Sequence, residues 1–136
     1  MANISILTSE CGSISHLLGI IGEPARLQIL FALGNGDACV CHLVSALHMR
    51  QASISQHLMV LRQAGMVSTQ REGRHIFYRL EAPTVLPLLE QAAHLAGIPV
   101  EAMRTLGSIP VPHCSCPKCN PTLEPKILCK MEPKYG

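Results

Sequence analysis

Residues 52–67, ASISQHLMVLRQAGMV, and the residues that follow at 68–80, STQREGRHIFYRL, decide the fold of this chain. Ile54, Leu58 and Leu61 have the i, i+4, i+7 spacing of a helix that buries one apolar face. Serine, glutamine and histidine side chains fall largely on the other faces. In the second stretch, apolar and polar residues alternate on both sides of Glu72-Gly73-Arg74, a pattern typical of a β-hairpin with a glycine turn. The sequence therefore predicts a polar-faced helix followed by a basic hairpin.

Helical spacing also predicts the neighbouring elements. A first helix is expected at about residues 5–20, and a second at 24–33, with Pro24 in its first turn and Gly34-Asn35-Gly36 at its end. A short helix is expected from about Cys41 to Leu47. Ser53 is the predicted N-cap of the polar-faced helix, and a last helix is expected from about Val85 to Gly97.

This order predicts a winged helix-turn-helix, mainly α with a small β-hairpin wing (α+β), that assembles as a dimer. In such a fold the helix after the turn lies in the major groove of DNA, and the hairpin reaches neighbouring phosphates or the minor groove. We expect residues 1–98 to form the DNA-binding and dimerisation domain. Residues 99–136 hold six prolines between Pro110 and Pro133 and predict an irregular tail rich in cysteine and proline.

Charge is sparse and uneven along the 136 residues. Charged residues make up 15% of the chain, against roughly 25% in an average soluble domain, which indicates that a partner chain covers some apolar surface. Residues 50–80, by contrast, hold five arginines against one acid, as expected of a face that binds a polyanion. The five are Arg50, Arg62, Arg71, Arg74 and Arg79.

Neither a membrane span nor a secretory signal is expected. The apolar stretch from Leu17 to Leu33 is interrupted by glycine, proline and charged residues, and the N-terminus has no basic region. We therefore expect a cytoplasmic protein. In a reducing compartment, the seven cysteines indicate metal ligands or redox sensors rather than structural disulfides.

Four segments together resemble the ArsR/SmtB family of bacterial metal-sensing repressors. They are GEPARLQILFAL (22–33), CVCHLVSAL (39–47), ASISQHLMVLRQAGMV (52–67) and REGRHIFYRL (71–80). The resemblance implies a homodimer, paired through its first and last helices, that represses an operator until an inducer binds. It implies double-stranded operator DNA as the partner, with no enzymatic activity. The candidate DNA contacts are Gln51, Ser53, Ser55, Gln56, His57 and Arg62 on the helix, and Arg71, Arg74 and His75 on the wing.

Cys39 and Cys41 are the first candidates for binding the inducer. They stand at the start of the short helix, where unpaired backbone N–H groups favour the thiolate. Two thiolates one residue apart suit a soft ion. CVCHL also resembles the CVCDL of the family's arsenic, cadmium and lead sensors, although His42 replaces an acid and no further cysteine follows shortly after. We therefore expect As(III) first, then Cd(II) or Pb(II). The alternative is that both cysteines are small buried apolar residues.

At least one further ligand must come from elsewhere. By resemblance to the cadmium and lead sensors, Cys11 of the other protomer is the first choice. The tail offers Cys114, Cys116 and Cys119, three thiols within six residues, which suit a soft ion as a second site or as additional ligands. The same tail is alternatively an unstructured segment without a site. The family's site of acids and histidines on the last helix is unfilled, since Thr84 and Leu95 stand at histidine positions.

Two other functions are compatible with the sequence. The thiols of Cys39 or Cys41 and a tail cysteine suit a redox-responsive or sulfide-responsive repressor of the same fold. A thiol-rich protein that sequesters metal without binding DNA is a second alternative, but it leaves the polar-faced helix and the hairpin unexplained. The Cys-Pro-Lys-Cys sequence at 116–119 has the form found in thiol oxidoreductases, yet it lies in a proline-rich tail rather than between a strand and a helix.

Overall fold

The computed structural model describes residues 4–34, 36–81 and 84–104. In this part of the chain, four helices precede an antiparallel hairpin and two helices follow it. Their bounds are α1 Ile4–Ile21, α2 Pro24–Leu33, α3 Val40–Leu47, α4 Gln51–Gln63, β1 Val67–Glu72, β2 His75–Leu80, α5 Val85–Leu95 and α6 Val100–Arg104. The prediction of a mainly helical fold with a hairpin wing is confirmed.

Helix α2 lies at the centre of the fold. It contacts each of the other helices and also β2. Pro24 stands in its first turn, and the five residues from Ile29 to Leu33 are all buried. A helix that is surrounded by other elements must be apolar on every face, and residues 27–33 accordingly carry no charge. The remaining elements are built around this helix.

The turn between α3 and α4 is shorter than the sequence predicts. His48 ends α3 in the left-handed conformation, with φ of 54°, and α4 begins at Gln51 with Arg50 as its N-cap. The backbone N–H of Ile54 already donates to the carbonyl of Arg50 at 3.0 Å. The helical ladder therefore starts before Ser53. The prediction that Ser53 caps the helix is wrong, and Ser53 lies within the first turn.

The hairpin pairs Val67 with Leu80 at its base and Glu72 with His75 at its tip. Gly73 takes a φ of +62°, a conformation that favours glycine. The buried side chains of β2 are His75 and Phe77, and Phe77 is fully covered, whereas Ile76 on the opposite face is 38% exposed. Tyr78 also exchanges two backbone hydrogen bonds with Ala38. The segment before α3 is therefore tied to the middle of the wing.

Helix α6 extends the ordered fold past the boundary expected at residue 98. Val100 and Met103 pack against the core. Arg104 donates to the Glu90 carboxylate on α5 at 2.9 Å, and this contact raises the pKa of the Arg104 guanidinium above its ordinary value. Pro99 followed by apolar residues three apart was the available signal. The remainder of the expected tail lies outside the described residues.

Helix α1 leaves much of its apolar surface uncovered. Ile14 is 56% exposed and Leu18 is 51% exposed, while Ile21 at the end of the helix is buried. Within the described ranges, no single helix is long and apolar enough to cross a membrane. Only residues 7–21 and α2 taken together reach that length and composition, and the two are bent by 79° at the break between them.

Candidate nucleic-acid interface and metal centre

Helix α4 buries one face and presents the other to solvent. Ile54, Leu58 and Leu61 are buried against the core. Among the predicted DNA contacts on the helix, Gln56 and Arg62 are exposed, and four others are half-buried. These four are Gln51, Ser53, Ser55 and His57. The described part of α4 contains no acidic residue, so nothing on the helix itself repels a polyanion.

His57 is held by a residue that the sequence did not single out. The Arg26 guanidinium on α2 donates through Nε to His57 Nδ1 at 3.2 Å. It also donates through Nη1 to the carbonyl oxygen of Ile20, in the last turn of α1, at 3.1 Å. Because Nδ1 accepts this bond, the ring N–H of His57 is on Nε2, where it is a donor for another partner. Arg26 thus links α1, α2 and α4.

The wing presents fewer of its predicted contacts than expected. Arg71 and Arg74 are exposed and remain candidates for phosphate contacts. The expectation for His75 needs correction, because this side chain is only 7% exposed. His75 and Phe77 are two residues apart on the same face of β2, and their ring centroids lie 6.2 Å apart. His75 therefore lies on the covered face with Phe77 and is not presented to DNA.

Arg79, one of the five arginines, does not belong to the exposed basic face. Arg79 Nη2 lies 2.6 Å from Asp37 Oδ2, and the two side chains are partly buried. This ion pair joins β2 to the segment before α3, next to the hydrogen bonds between Ala38 and Tyr78. Its role is to hold the wing, so the exposed positive charge of residues 50–80 comes from the other four arginines.

The two cysteines of the CVC sequence form a close, buried pair. Cys39 is the N-cap of α3, and its Sγ accepts the backbone N–H of His42 at 3.4 Å. The Sγ atoms of Cys39 and Cys41 lie 3.0 Å apart, and the two residues are 4% and 6% exposed. Helix α3 packs directly on α4. The thiol pair therefore lies at the start of a helix that directly contacts the candidate DNA-reading helix.

The other candidate ligands are not brought to this pair within the chain as described. Cys11 lies on the exposed surface of α1. Among residues 4–34, 36–81 and 84–104, no three side chains of histidine, cysteine, aspartate or glutamate are grouped as a metal site. Cys114, Cys116 and Cys119 lie outside the described residues.

Comparison with known proteins places the chain among transcriptional regulators. A sequence model described as "Bacterial regulatory protein, arsR family" matches residues 23–69. The biofilm growth-associated repressor of Agrobacterium fabrum is 42% identical over 77 residues, 57% of this chain and 66% of that protein. The transcriptional repressor SmtB of Mycobacterium tuberculosis is 44% identical over 82 residues, 60% of this chain and 61% of that protein. The chain thus spans just under two thirds of these two relatives.

A third relative is matched over most of its length. The transcriptional activator HlyU of Vibrio cholerae is 38% identical over 88 residues, 65% of this chain and 82% of that protein. The structure of reduced HlyU superposes with a TM-score of 0.61 at 32% identity, covering 68% of this chain and 97% of that one.

Fold, exposed polar helix and wing together define a regulator of the winged helix-turn-helix class, and the three relatives are regulators rather than enzymes. Within that class, the chain belongs to the ArsR/SmtB family.

Proposed function

We propose that this protein is a cytoplasmic transcriptional repressor that binds operator DNA as a homodimer and is released when a thiophilic ion binds the thiolates of Cys39 and Cys41. As(III) is the first choice of ion, followed by Cd(II) and Pb(II). The observation that carries the proposal is the buried pair of Sγ atoms 3.0 Å apart, at the start of the helix that packs on α4.

The charge and shape of the α4 face support DNA as the partner. Four arginines surround this part of the fold and remain exposed: Arg50, Arg62, Arg71 and Arg74. Arginines bind phosphates regardless of sequence, while glutamine, serine and histidine on α4 supply donors and acceptors for base edges. We assign positioning to the arginines and base contact to the residues of the helix.

The uncovered apolar surface supports the dimer. Ile14 and Leu18 on α1 are more than half exposed, and Leu95 at the end of α5 is 90% exposed. Large apolar side chains concentrated on two helices are typical of a surface that another chain covers. A two-fold dimer would present two copies of α4 to successive major grooves of a near-palindromic site.

The geometry of the thiol pair fits a soft ion. Two thiolates that bind one ion at about 2.3 Å each lie roughly 3.3–3.8 Å apart for angles between 90° and the tetrahedral value. The observed 3.0 Å requires only a small separation of the two side chains. Burial alone is ordinary for free cysteine, but packing does not require two sulfur atoms to face each other.

The third ligand completes the proposed sensing step. Within one copy, no third histidine, cysteine, aspartate or glutamate is grouped with the pair among the described residues. We therefore assign the further thiolate to Cys11 of the second copy or to Cys114, Cys116 and Cys119 of the tail. An ion bound by the pair would tie one of these segments to α3. Since α3 contacts α4, a displacement of α3 alters the position of the DNA-reading helix.

The same sulfur pair also favours a second candidate, a thiol-redox or sulfide-responsive repressor. Two thiols at 3.0 Å are close enough to react with a common oxidant, and the structure of HlyU used above is of a reduced form. Oxidation and ion binding would both act at the start of α3, so the fold does not distinguish the two functions. They are distinguished by which compound, an oxidant or an ion, releases the DNA.

The test is release of a fluorescent duplex, selected from a random-sequence pool, under reducing conditions. Wild type and the double variant Cys39→Ser/Cys41→Ser are titrated with As(III), Cd(II), Zn(II) and a polysulfide. We expect As(III) and Cd(II) to weaken DNA binding of wild type by about 5–150-fold, the usual range of allosteric coupling. The double variant should bind DNA equally well and resist release. Sedimentation of the same samples should give the mass of a dimer.

The other outcomes are equally informative. Release of the double variant at wild-type ion concentrations would contradict the role of the pair. Release of wild type by polysulfide alone would replace ion sensing with redox sensing. Ion binding without binding to any duplex would favour the metal-sequestering alternative. Matched variants, Cys11→Ser and Cys114→Ser/Cys116→Ser/Cys119→Ser, identify which segment supplies the third ligand.

A further inference from the structure

The outward face of α4 carries an apolar residue that the prediction of polar DNA contacts did not include. Met59 is 57% exposed. Met59 lies on one line along the helix with Ala52, Gln56 and Gln63. In chain order the four residues are four, three and four residues apart, and all four are exposed. Their stripe is opposite the buried residues of the same helix. Helical spacing alone is sufficient to place Met59 on this face.

Met59 is separate from the apolar surface assigned to the second copy. Apart from Met59 and Ile76 on the wing, the exposed large apolar side chains of the described chain lie on α1, on α5 or directly after α5. Met59 instead has arginine close by on its own helix, at Arg62, and the helix lacks acids. This charge favours a polyanion over an apolar protein surface as the partner of the stripe.

The stripe from Ala52 to Met59 has the length of about four base pairs. From Ala52 to Met59 the helix rises about 10 Å, which is roughly three base-pair steps of 3.4 Å. Gln56 lies between them along the axis. In the major groove, a glutamine amide pairs with the N6 and N7 atoms of adenine, and an apolar side chain packs on the C5-methyl group of thymine.

We propose that α4 reads an A·T-rich segment, with Met59 packed on a thymine C5-methyl group, Gln56 paired with an adenine and Ala52 on a second thymine methyl. Met59 is then the specificity-determining residue at one position of each half-site. The inference rests on the proposed DNA-binding function and adds the base that this face prefers.

The experiment uses the full-length protein, reduced and without added metal. A binding site is selected from random-sequence duplexes, and each thymine in it is then replaced by deoxyuridine, which removes only the C5-methyl group. We expect wild type to bind about fourfold more weakly at one or two thymines of each half-site, the change associated with one buried methyl-sized group. Met59→Gln, of similar length, should lose the penalty at one of these thymines, and Met59→Leu should retain it.

Both kinds of failure can be recognised. If Met59→Gln shows the same deoxyuridine penalties as wild type, or if wild type is insensitive to every substitution, the assignment of Met59 is wrong while DNA binding stands. If wild type selects no sequence and binds no duplex, the proposed function fails with it. Because Met59 is exposed, its replacement should leave the far-UV circular dichroism spectrum unchanged.

Discussion

Arg26 shows how one residue connects the parts of this fold. Its guanidinium is partly buried and binds the end of α1 through the Ile20 carbonyl and α4 through His57. Helix α1 carries the exposed apolar surface, and α4 carries the polar one. Hydrogen bonds from a charged donor contribute roughly 1.5–3 kcal/mol. Arg26 therefore fixes the orientation of the DNA-reading helix relative to the proposed dimer surface.

Replacement of this side chain tests that role. We expect Arg26→Met to weaken binding of the selected duplex by about tenfold, a change of about 1.4 kcal/mol that is less than the two lost hydrogen bonds. The measurement is fluorescence anisotropy, with circular dichroism to verify folding. Arg104→Met is the matched control, because it removes an ion pair between α6 and Glu90 of α5 that lies away from α4, and it should leave affinity unchanged. Wild-type affinity in Arg26→Met would refute the role.

The sequence did not reveal such contacts for a physical reason. Arg26 and His57 are 31 residues apart, and Arg79 and Asp37 are 42 apart. Periodicity reports which face of an element is buried, but it does not report which distant polar groups meet. It is for this reason that Arg79 was counted with the DNA face and that Arg26 received no role.

At the scale of elements, the wing shows both the strength and the limit of sequence patterns. The hairpin and its glycine turn were predicted, and the bounds of α2 were predicted at 24–33. The face of β2 was not assigned, because alternation places Ile76, Tyr78 and Leu80 on one side and Phe77 with His75 on the other. Both faces carry an aromatic residue, so alternation alone does not rank them. The structure covers the face with Phe77 and His75, and this removes His75 from the predicted contacts.

This choice of face has a measurable consequence for stability. Phe77 is fully buried, whereas Ile76 is 38% exposed. We expect Phe77→Ala to lower the free energy of unfolding by about 3–5 kcal/mol. The neighbouring Ile76→Ala should cost about 1 kcal/mol or less, since little buried volume is lost. Urea denaturation followed by circular dichroism measures both, and equal losses would contradict the assigned face.

For the whole molecule, the low charge of the chain and its odd number of cysteines now have a common explanation. Apolar side chains remain exposed on α1 and α5, and in the proposed sensing step the CVC thiols take a further ligand from another segment. A site shared between two copies, or between domain and tail, does not require an even number of cysteines. The proximity of Cys39 and Cys41 could be predicted from the sequence because only one residue separates them, and their Sγ atoms lie 3.0 Å apart. For the further ligand that we propose, the sequence ranks Cys11 before the tail cysteines only by resemblance, because the choice depends on how the segments assemble.

In the proposed function, the thiol pair and helix α4 are coupled. Coupling between two binding sites is reciprocal, so DNA must weaken ion binding by the same factor by which the ion weakens DNA binding. The decisive measurement is the As(III) affinity of the reduced protein with and without a saturating amount of the selected duplex. We expect the As(III) affinity to fall by about 5–150-fold, equal to the loss of DNA affinity caused by As(III). An As(III) affinity that is the same with and without DNA would contradict it.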